Sequence, residues 1–431
     1  MKIVIIGASF SGVHCALKAK ELYPYDEVIL IEKEEELGYL PSGLTLLLNK
    51  EIASLDEANF ISKEQLVQSG IHLMLGVCVK SFDFTNQSLS TTEGEVFYDR
   101  LVLAMGSSQF SQKLMSEHTG FLTYKKKKEA LNALDKLNET DQVAVIGAGQ
   151  AGMELASALV HCGKRVTLVE SMDYPLYKSF DKEFIEPLVA SIKRNDSIET
   201  LFGQTVREIT DNKTLRLVTQ QKEIESEAIF LATNVRPDLT IFEEKLDYHV
   251  DQTLKVDYYF ETSEPNVFAI GDLIQVPSLL LDQTVYLPLI NNAIRSGTIC
   301  AENLKEKQTE YLGSIRIIGT KVFDYYLASC GLTEADSFLY GGQVGTVTIN
   351  APFTIAETES VRVKFTYNQE TGVLLGTQIM SKQNILDKIN TYALAIDMKM
   401  TIKELAQKDY FYHPSYTNPL IDMPQLEQRG L

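Results

Sequence analysis

Short runs of β-branched and aliphatic residues recur along the chain, and four of them end in small residues. Val4-Ile5-Ile6 runs into Gly7-Ala8-Ser9-Phe10-Ser11-Gly12; a helical stretch follows, then Val28-Ile29-Leu30-Ile31-Glu32. Val143-Ala144-Val145-Ile146 runs into Gly147-Ala148-Gly149-Gln150-Ala151-Gly152, followed by a helical stretch and Val166-Thr167-Leu168-Val169-Glu170. Each pattern predicts strand, tight turn, helix and second strand, one βαβ unit. The stretch 98–107 predicts a strand ending in Ala104-Met105-Gly106-Ser107, and 262–272 one ending in Gly271-Asp272. From Gly313 the pattern changes: 314–319, 345–349 and 361–367 alternate like half-buried strands. After a turn at 369–372, 373–380 continues them, and helices are predicted to begin near Asn384 and near Thr401. Strands followed by helices predict an α+β unit.

The two glycine turns carry the first functional implication. A tight turn needs its first glycine, small residues next let backbone N–H groups approach a pyrophosphate, and the third glycine lets helix and strand pack closely. The helix N-terminus then offers unpaired N–H groups and a positive dipole end to phosphates. Glu32 and Glu170 close the units where a carboxylate can accept from ribose hydroxyls. Ser9 stands where the second glycine of the first turn belongs, and serine is small enough for a phosphate to approach. Either turn alone also fits an ordinary packing turn. Two in one chain point to two dinucleotides and to hydride passage between them. Asp272, at a strand end beside Gly271, can hydrogen-bond a polyol such as a flavin's ribityl chain.

On these segments the chain resembles the FAD-dependent pyridine nucleotide–disulfide oxidoreductase family, along essentially its whole length. The resemblance is nearest to the NADH oxidase, NADH peroxidase and coenzyme A-disulfide reductase branch, through Tyr286-Leu287-Pro288-Leu289-Ile290-Asn291-Asn292-Ala293, Lys321-Val322-Phe323-Asp324 and Tyr412-His413-Pro414-Ser415-Tyr416-Thr417. It implies an α/β fold of two Rossmann-like dinucleotide-binding domains, for FAD and NAD, plus a C-terminal α+β dimerisation domain. The expected boundaries are 1–110 and 245–312 for FAD, 111–244 for NAD and 313–431 for the dimer interface. FAD contacts are expected at Gly7, Ser9, Phe10, Ser11, Gly12, Glu32, Lys33, Ser42, Val79, Ala104, Met105, Gly106, Gly271, Asp272, Pro288 and Leu289. NADH contacts are expected at Gly147, Gly149, Gln150, Gly152, Glu154, Glu170 and Asn234. Glu170 would repel a 2′-phosphate, which favours NADH over NADPH. Lys164 and Arg165 precede their strand and should lie away from the adenosine pocket.

The chain departs from that branch where its sulfur chemistry resides. In Tyr39-Leu40-Pro41-Ser42-Gly43 the branch's redox cysteine is replaced by Ser42, and the histidine its oxidases and peroxidases carry in the first turn is Phe10. Serine cannot cycle through thiolate, sulfenic acid or disulfide. Gln150 replaces an aromatic residue that gates the nicotinamide pocket, and Asn234 a glycine. Candidate groups at the flavin are then Ser42 itself, His413 as a tail acid–base reaching the partner, and Tyr416 at the partner's flavin edge. Local packing is the alternative for His413 and Tyr416, and an ordinary helix-surface position for Glu154.

Composition narrows the remaining classes. The net charge of −18 argues against nucleic acid and anionic membrane surfaces as partners. Cys15, Cys78, Cys162, Cys300 and Cys330 show no redox or zinc spacing and read as buried structural thiols. No histidine has ligand spacing, so no metal is expected. The chain reads as cytoplasmic, with NADH and a small-molecule acceptor as partners and a homodimer as assembly. Lys125-Lys126-Lys127-Lys128 reads as a solvated helix start or a docking patch for an acidic partner. The expected activity is NADH oxidation through FAD, with oxygen reduced directly to hydrogen peroxide. The alternatives are an NADH-responsive regulatory flavoprotein with little turnover, or an NADH:quinone or redox-protein reductase.

Overall fold

The structure, a computed structural model, describes residues 1–109, 121–212, 214–233, 235–243, 245–354 and 360–415. The first unit is Lys2–Ile6 (β1), Phe10–Leu22 (α1) and Glu27–Glu32 (β2). β1 lies centrally in a five-stranded parallel sheet ordered Val267–Ala269, Arg100–Leu103, β1, β2, His72–Leu75. Central parallel strands are covered on both faces, so they are continuously apolar. Ile3, Val4 and Ile5 are fully buried, and each such side chain contributes about 1.5–3 kcal/mol by leaving water.

The second unit repeats this plan. Gln142–Ile146 (β3), Gln150–His161 (α2) and Arg165–Glu170 (β4) build another parallel sheet, ordered Ile198–Phe202, β4, β3, Ala228–Leu231, Phe121–Leu122. The chain enters and leaves this sheet through a two-stranded antiparallel ribbon, Ser108–Gln109 against Val235–Arg236. It then returns to the first sheet and continues into Ile290–Asn303 (α3), which packs on α1.

The C-terminal region is an antiparallel sheet ordered Ile317–Val322 (β5), Tyr325–Gly331, Leu374–Ser381, Ser360–Asn368, Val344–Pro352. Helices Ile389–Asp397 and Ile402–Ala406 follow it. Among the expected bounds that move, two have a local cause. β5 starts at Ile317 rather than Ser314, because Arg316 takes a left-handed φ of 55° that breaks the extended run. The first helix starts at Ile389, after a single tight turn over Leu386–Lys388 that Asn384 initiates by accepting from Leu386 N–H. Among the described residues no helix is long and apolar enough to cross a membrane.

The cores differ in ownership. The first sheet packs with residues of its own two chain segments, such as Val13, Leu254 and Cys300. The second sheet shares one core with Leu44 and Leu48 of the first region and with Ile318, Val322, Leu327 and Met380 of the C-terminal sheet.

Candidate functional site

Both glycine turns adopt the same strained geometry. Gly7 has φ +107° and Gly147 φ +103°, the region where only glycine is unstrained. A Cβ at Gly7 would lie 2.3 Å from Ala104 O, and one at Gly147 would lie 2.5 Å from Ala232 O. One at Gly12 or Gly152 would lie 1.9 Å from the carbonyl oxygen of Gly7 or Gly147. The second position differs in kind. A Cβ at Gly149 meets nothing within 4 Å, and neither Gly149 nor Ser9 has a positive φ. The backbone therefore accepts Ser9 without strain.

Neither helix N-terminus carries a side-chain cap, so α1 and α2 keep free N–H groups for phosphates. The carboxylates at the strand ends brace the turns. Glu32 accepts from Ala8 N–H at 2.7 Å and Glu34 N–H at 3.1 Å. Glu170 accepts from Ala148 N–H at 2.7 Å and from Met172 N–H and Ser171 Oγ at 2.9 Å.

A single cleft of about 1990 Å³ joins the two turns. Gly7, Ser9, Phe10, Ser11, Glu32, Lys33, Ser42 and Val79 line it, with Ala104, Met105 and Gly106. Asp272, Pro288, Leu289, Gly147, Gly149, Gln150, Glu154 and Glu170 line it as well. Gly12, Gly152 and Gly271 lie behind the lining and set close packing; a Cβ at Gly271 would be 2.6 Å from Ser11 Oγ. Asn234 and Tyr416 fall outside the described residues. His413 does not line its own chain's cleft, and its Nδ1 accepts from Ser415 N–H at 3.2 Å. Lys164 donates to Leu137 O and Thr140 O and likewise stays out of the cleft.

Ser42 precedes the short helix Gly43–Leu48 and makes no side-chain cap bond there. Phe10 is buried and stacks on Phe60 with centroids 4.2 Å apart at 13°, which makes this wall apolar. Nearby, burial pushes the Tyr39 phenol up to about 12. Gln150 turns away from the glycines: its Nε2 donates to Glu154 Oε1 and to Gly319 O, both at 3.1 Å. Glu154 is half-buried rather than a plain surface residue. Burial raises its pKa, against the lowering bonds from Thr320 and Gln150.

Several participants had no clear sequence signal. Lys125 donates to Ser107 O at 2.6 Å and Ser107 Oγ at 3.0 Å, and Ser107 Oγ donates to Asp272 at 2.6 Å. Burial lowers the Lys125 pKa, partly offset by Asp272. Lys126 pairs with Glu34 at 2.6 Å, and Lys127 with Glu36 at 2.9 Å and Asp56 at 2.8 Å. Lys125, Lys126 and Lys127 therefore stitch the inserted domain to the first one, while Lys128 is exposed. Arg236 stacks over the Tyr286 ring at 4.5 Å, a cation–π contact beside the crossover ribbon. Lys364 sits among Asp181, Glu183 and Glu334, so an ammonium fills the centre of that acidic group.

The cysteine expectation needs correcting. Cys15, Cys300 and Cys330 are buried, but Cys78 and Cys162 are exposed. Cys162 Sγ donates to Leu48 O at 3.1 Å. Cys78 lines the cleft at its Glu32 end, where Val77 N–H bonds Glu32 O. It lies in the link between His72–Leu75, which pairs with β2 as far as Glu32, and Val79–Asp83, and apolar patterning does not reveal that position.

The cradle fits two dinucleotides: close backbone approach, uncapped helix ends, two braced carboxylates and Asp272 at a strand end. Comparison with known proteins agrees. Residues 1–297 match the pyridine nucleotide-disulphide oxidoreductase family, and residues 317–423 match that family's dimerisation domain. An NADH oxidase of Enterococcus faecalis is 28% identical over 444 residues, covering 100% of this chain and 99% of its own. A crystal structure of a pyridine nucleotide-disulfide family oxidoreductase from Enterococcus faecalis is 39% identical, with TM-score 0.87 over 97% of this chain and 96% of that one. A water-forming NADH oxidase from Lactobacillus brevis bound to NADH is 26% identical, with TM-score 0.94 over 100% of this chain and 98% of that one.

Proposed function

The chain belongs to the pyridine nucleotide-disulphide oxidoreductase family, and we propose on that premise that it oxidises NADH and reduces oxygen to hydrogen peroxide without a cysteine relay. It is an FAD-dependent NADH oxidoreductase. Bound FAD would supply the redox chemistry, as hydride acceptor and electron donor, while the protein supplies binding, orientation and exclusion. The first unit holds FAD through the N-terminus of α1, Glu32 and Asp272; the second holds NADH through the N-terminus of α2 and Glu170. The C-terminal region pairs two copies into a homodimer.

The observation that carries the acceptor reading is that Ser42 and Phe10, the two positions that depart from the branch's sulfur chemistry, both line the cleft. A hydroxyl cannot relay electrons, and an aromatic ring stacked on Phe60 supplies no acid–base group. Neither of the nearest cysteines in the sequence takes its place: Cys15 is fully buried and does not line the cleft, and Cys78 sits at the Glu32 end. Four-electron reduction, the water-forming chemistry named for the Lactobacillus brevis protein, needs a second redox group or rapid trapping of the half-reduced oxygen. Ser42 and Phe10 offer neither, so a two-electron product follows.

Anaerobic titration with NADH tests this. One equivalent per flavin should bleach the visible spectrum with no thiolate charge-transfer band, and admitted oxygen should return the colour with stoichiometric peroxide. A second equivalent consumed would reveal another redox group and defeat the relay-free reading. A protein that stays oxidised would be an NADH-responsive binder instead. Faster turnover with a quinone than with oxygen would transfer the acceptor role to the quinone.

A further inference from the structure

We infer that the C-terminal sheet is part of the NADH half-site: Thr320 and Gln150 are positioning residues that fix the carboxylate of Glu154 toward the cleft. This rests on the reading of the second unit as the NADH site.

The geometry is a seam between α2 and β5. Thr320 Oγ1 donates to Glu154 Oε1 at 2.6 Å, and Gln150 Nε2 donates to the same oxygen at 3.1 Å. Gln150 is tethered by Gly319 O at 3.1 Å, and one turn beyond Glu154 the Ser157 hydroxyl accepts from Phe323 N–H at 2.7 Å. Positions 150, 154 and 157 share one helix face, so the seam runs along α2 rather than touching it at a point. Thr320 is 3 % exposed, on the same β5 face as Ile318 and Val322, which join the core of the second unit. Its hydroxyl is thus held in place by packing.

Both bonds fall on one oxygen of Glu154. Oε2 remains for the cleft that Glu154 lines together with Gln150, Ile318 and Ser42. A carboxylate oxygen there is an acceptor for an amide N–H₂, the donor that a nicotinamide carboxamide presents. Remove the β5 donor and the carboxylate loses its strongest constraint.

Protonation gives the second handle. Burial raises Glu154 and Glu51 adds to the rise; the Tyr124 phenol, whose hydroxyl donates to Ala151 O at 3.2 Å, has its own pKa raised by burial first and by Glu154 second. Thr320 and Gln150 act in the opposite direction. Without Thr320's hydroxyl, Glu154 takes up its proton at a higher pH and stops being a pure acceptor sooner as pH falls.

The test is equilibrium titration of the oxidised, FAD-loaded protein with NAD⁺, which binds without hydride transfer, across acidic to neutral pH. Thr320→Val should weaken binding about tenfold, the range for losing a hydrogen bond to a charged group, and the pH at which affinity falls should move upward. Thr320→Ser should restore both. Gln150→Leu, at a half-exposed helix start, should shift both in the same direction by less, and it carries the test if the valine variant does not load FAD. Loaded Thr320→Val protein that binds NAD⁺ like the wild type at every pH overturns the proposal alone, as does an indifferent Gln150→Leu variant where the valine variant fails to load. Wild-type protein that binds neither NAD⁺ nor NADH overturns the donor reading with it.

Discussion

The two βαβ units share a turn but not a setting. In the first, α1 is covered by α3 so closely that a Cβ at Gly297 would lie 2.2 Å from Ser11 O. That contact is apolar apart from short bonds such as Tyr23 Oη to Ala301 O at 3.0 Å. In the second, α2 is covered by β5 through the polar seam at Gln150, Glu154 and Ser157. The segment after β4 is tied to the same C-terminal sheet by Asp181, whose carboxylate meets Lys364 at 2.8 Å and Ala335 N–H at 3.0 Å. Close small-residue packing makes the first unit one body with its own sheet. The second unit's covering belongs to the C-terminal sheet and not to its own domain, so its site depends on an interface between domains.

The sharpest way to break the symmetry is a β-branched residue at the first glycine of each turn. Gly7→Val should abolish FAD incorporation, because both the positive φ and the contact with Ala104 O forbid it. Gly147→Val should leave a yellow protein whose reduction by NADH is slowed on the order of a hundredfold or more, as expected when backbone strain of 1–3 kcal/mol adds to a blocked phosphate approach. Absorbance of the purified proteins and stopped-flow reduction distinguish the two. A colourless Gly147→Val protein would show that the units are not separable.

A smaller effect tests the anchoring of the second unit. Lys364→Met leaves Asp181 buried without its cation, which should destabilise by about 3–5 kcal/mol in urea unfolding. In the wild type burial pushes the Asp181 carboxyl up, but Lys364, Gln378 and Ala335 N–H outweigh this and hold it low. A lowered carboxyl contributes fully above its unfolded pKa and loses that contribution as pH falls through the folded one. In the variant burial acts without its main opponent, and Asp181 takes up a proton sooner. The stability gap should therefore be widest at neutral pH and shrink as pH falls into the carboxylate range. A gap that does not change with pH would mean the lysine acts through packing of its stem.

The smallest expected effect sharpens the comparison. Gly149→Ser copies Ser9 into the second turn, where a Cβ meets open space. NADH affinity should change by under about 1 kcal/mol, within the usual range for a substitution that creates no clash. A loss of tenfold or more, read from the NADH dependence of flavin reduction, would show that the second phosphate approaches its backbone more closely than the first.

Much of this site was legible because its signals are local. The turns, Glu32, Glu170 and Asp272 are set by strand patterning and by glycine at fixed offsets, and Ser42 and Phe10 stand out against a motif. Lys125 was visible only as one of four lysines; that it reaches Ser107 and through it Asp272 depends on the inserted domain folding back over the first. Cys78 looked like a core thiol and lines the cleft. Thr320 gave no signal, because an alternating strand shows which residues are buried but not what they face.

By itself, the sequence determined that two glycine turns form, that each helix leaves N–H groups free at its start, and that no cysteine stands at position 42. These follow from backbone sterics and residue chemistry within some thirty positions of each other. Only the tertiary structure decided which surfaces cover the two helices, that Lys125, Lys126 and Lys127 of the lysine run reach the first domain, and that Glu154 is held by a hydroxyl 166 residues away. Burial, hydrogen-bond partners and pKa are properties of what packs against a group, and those neighbours come from distant parts of the chain.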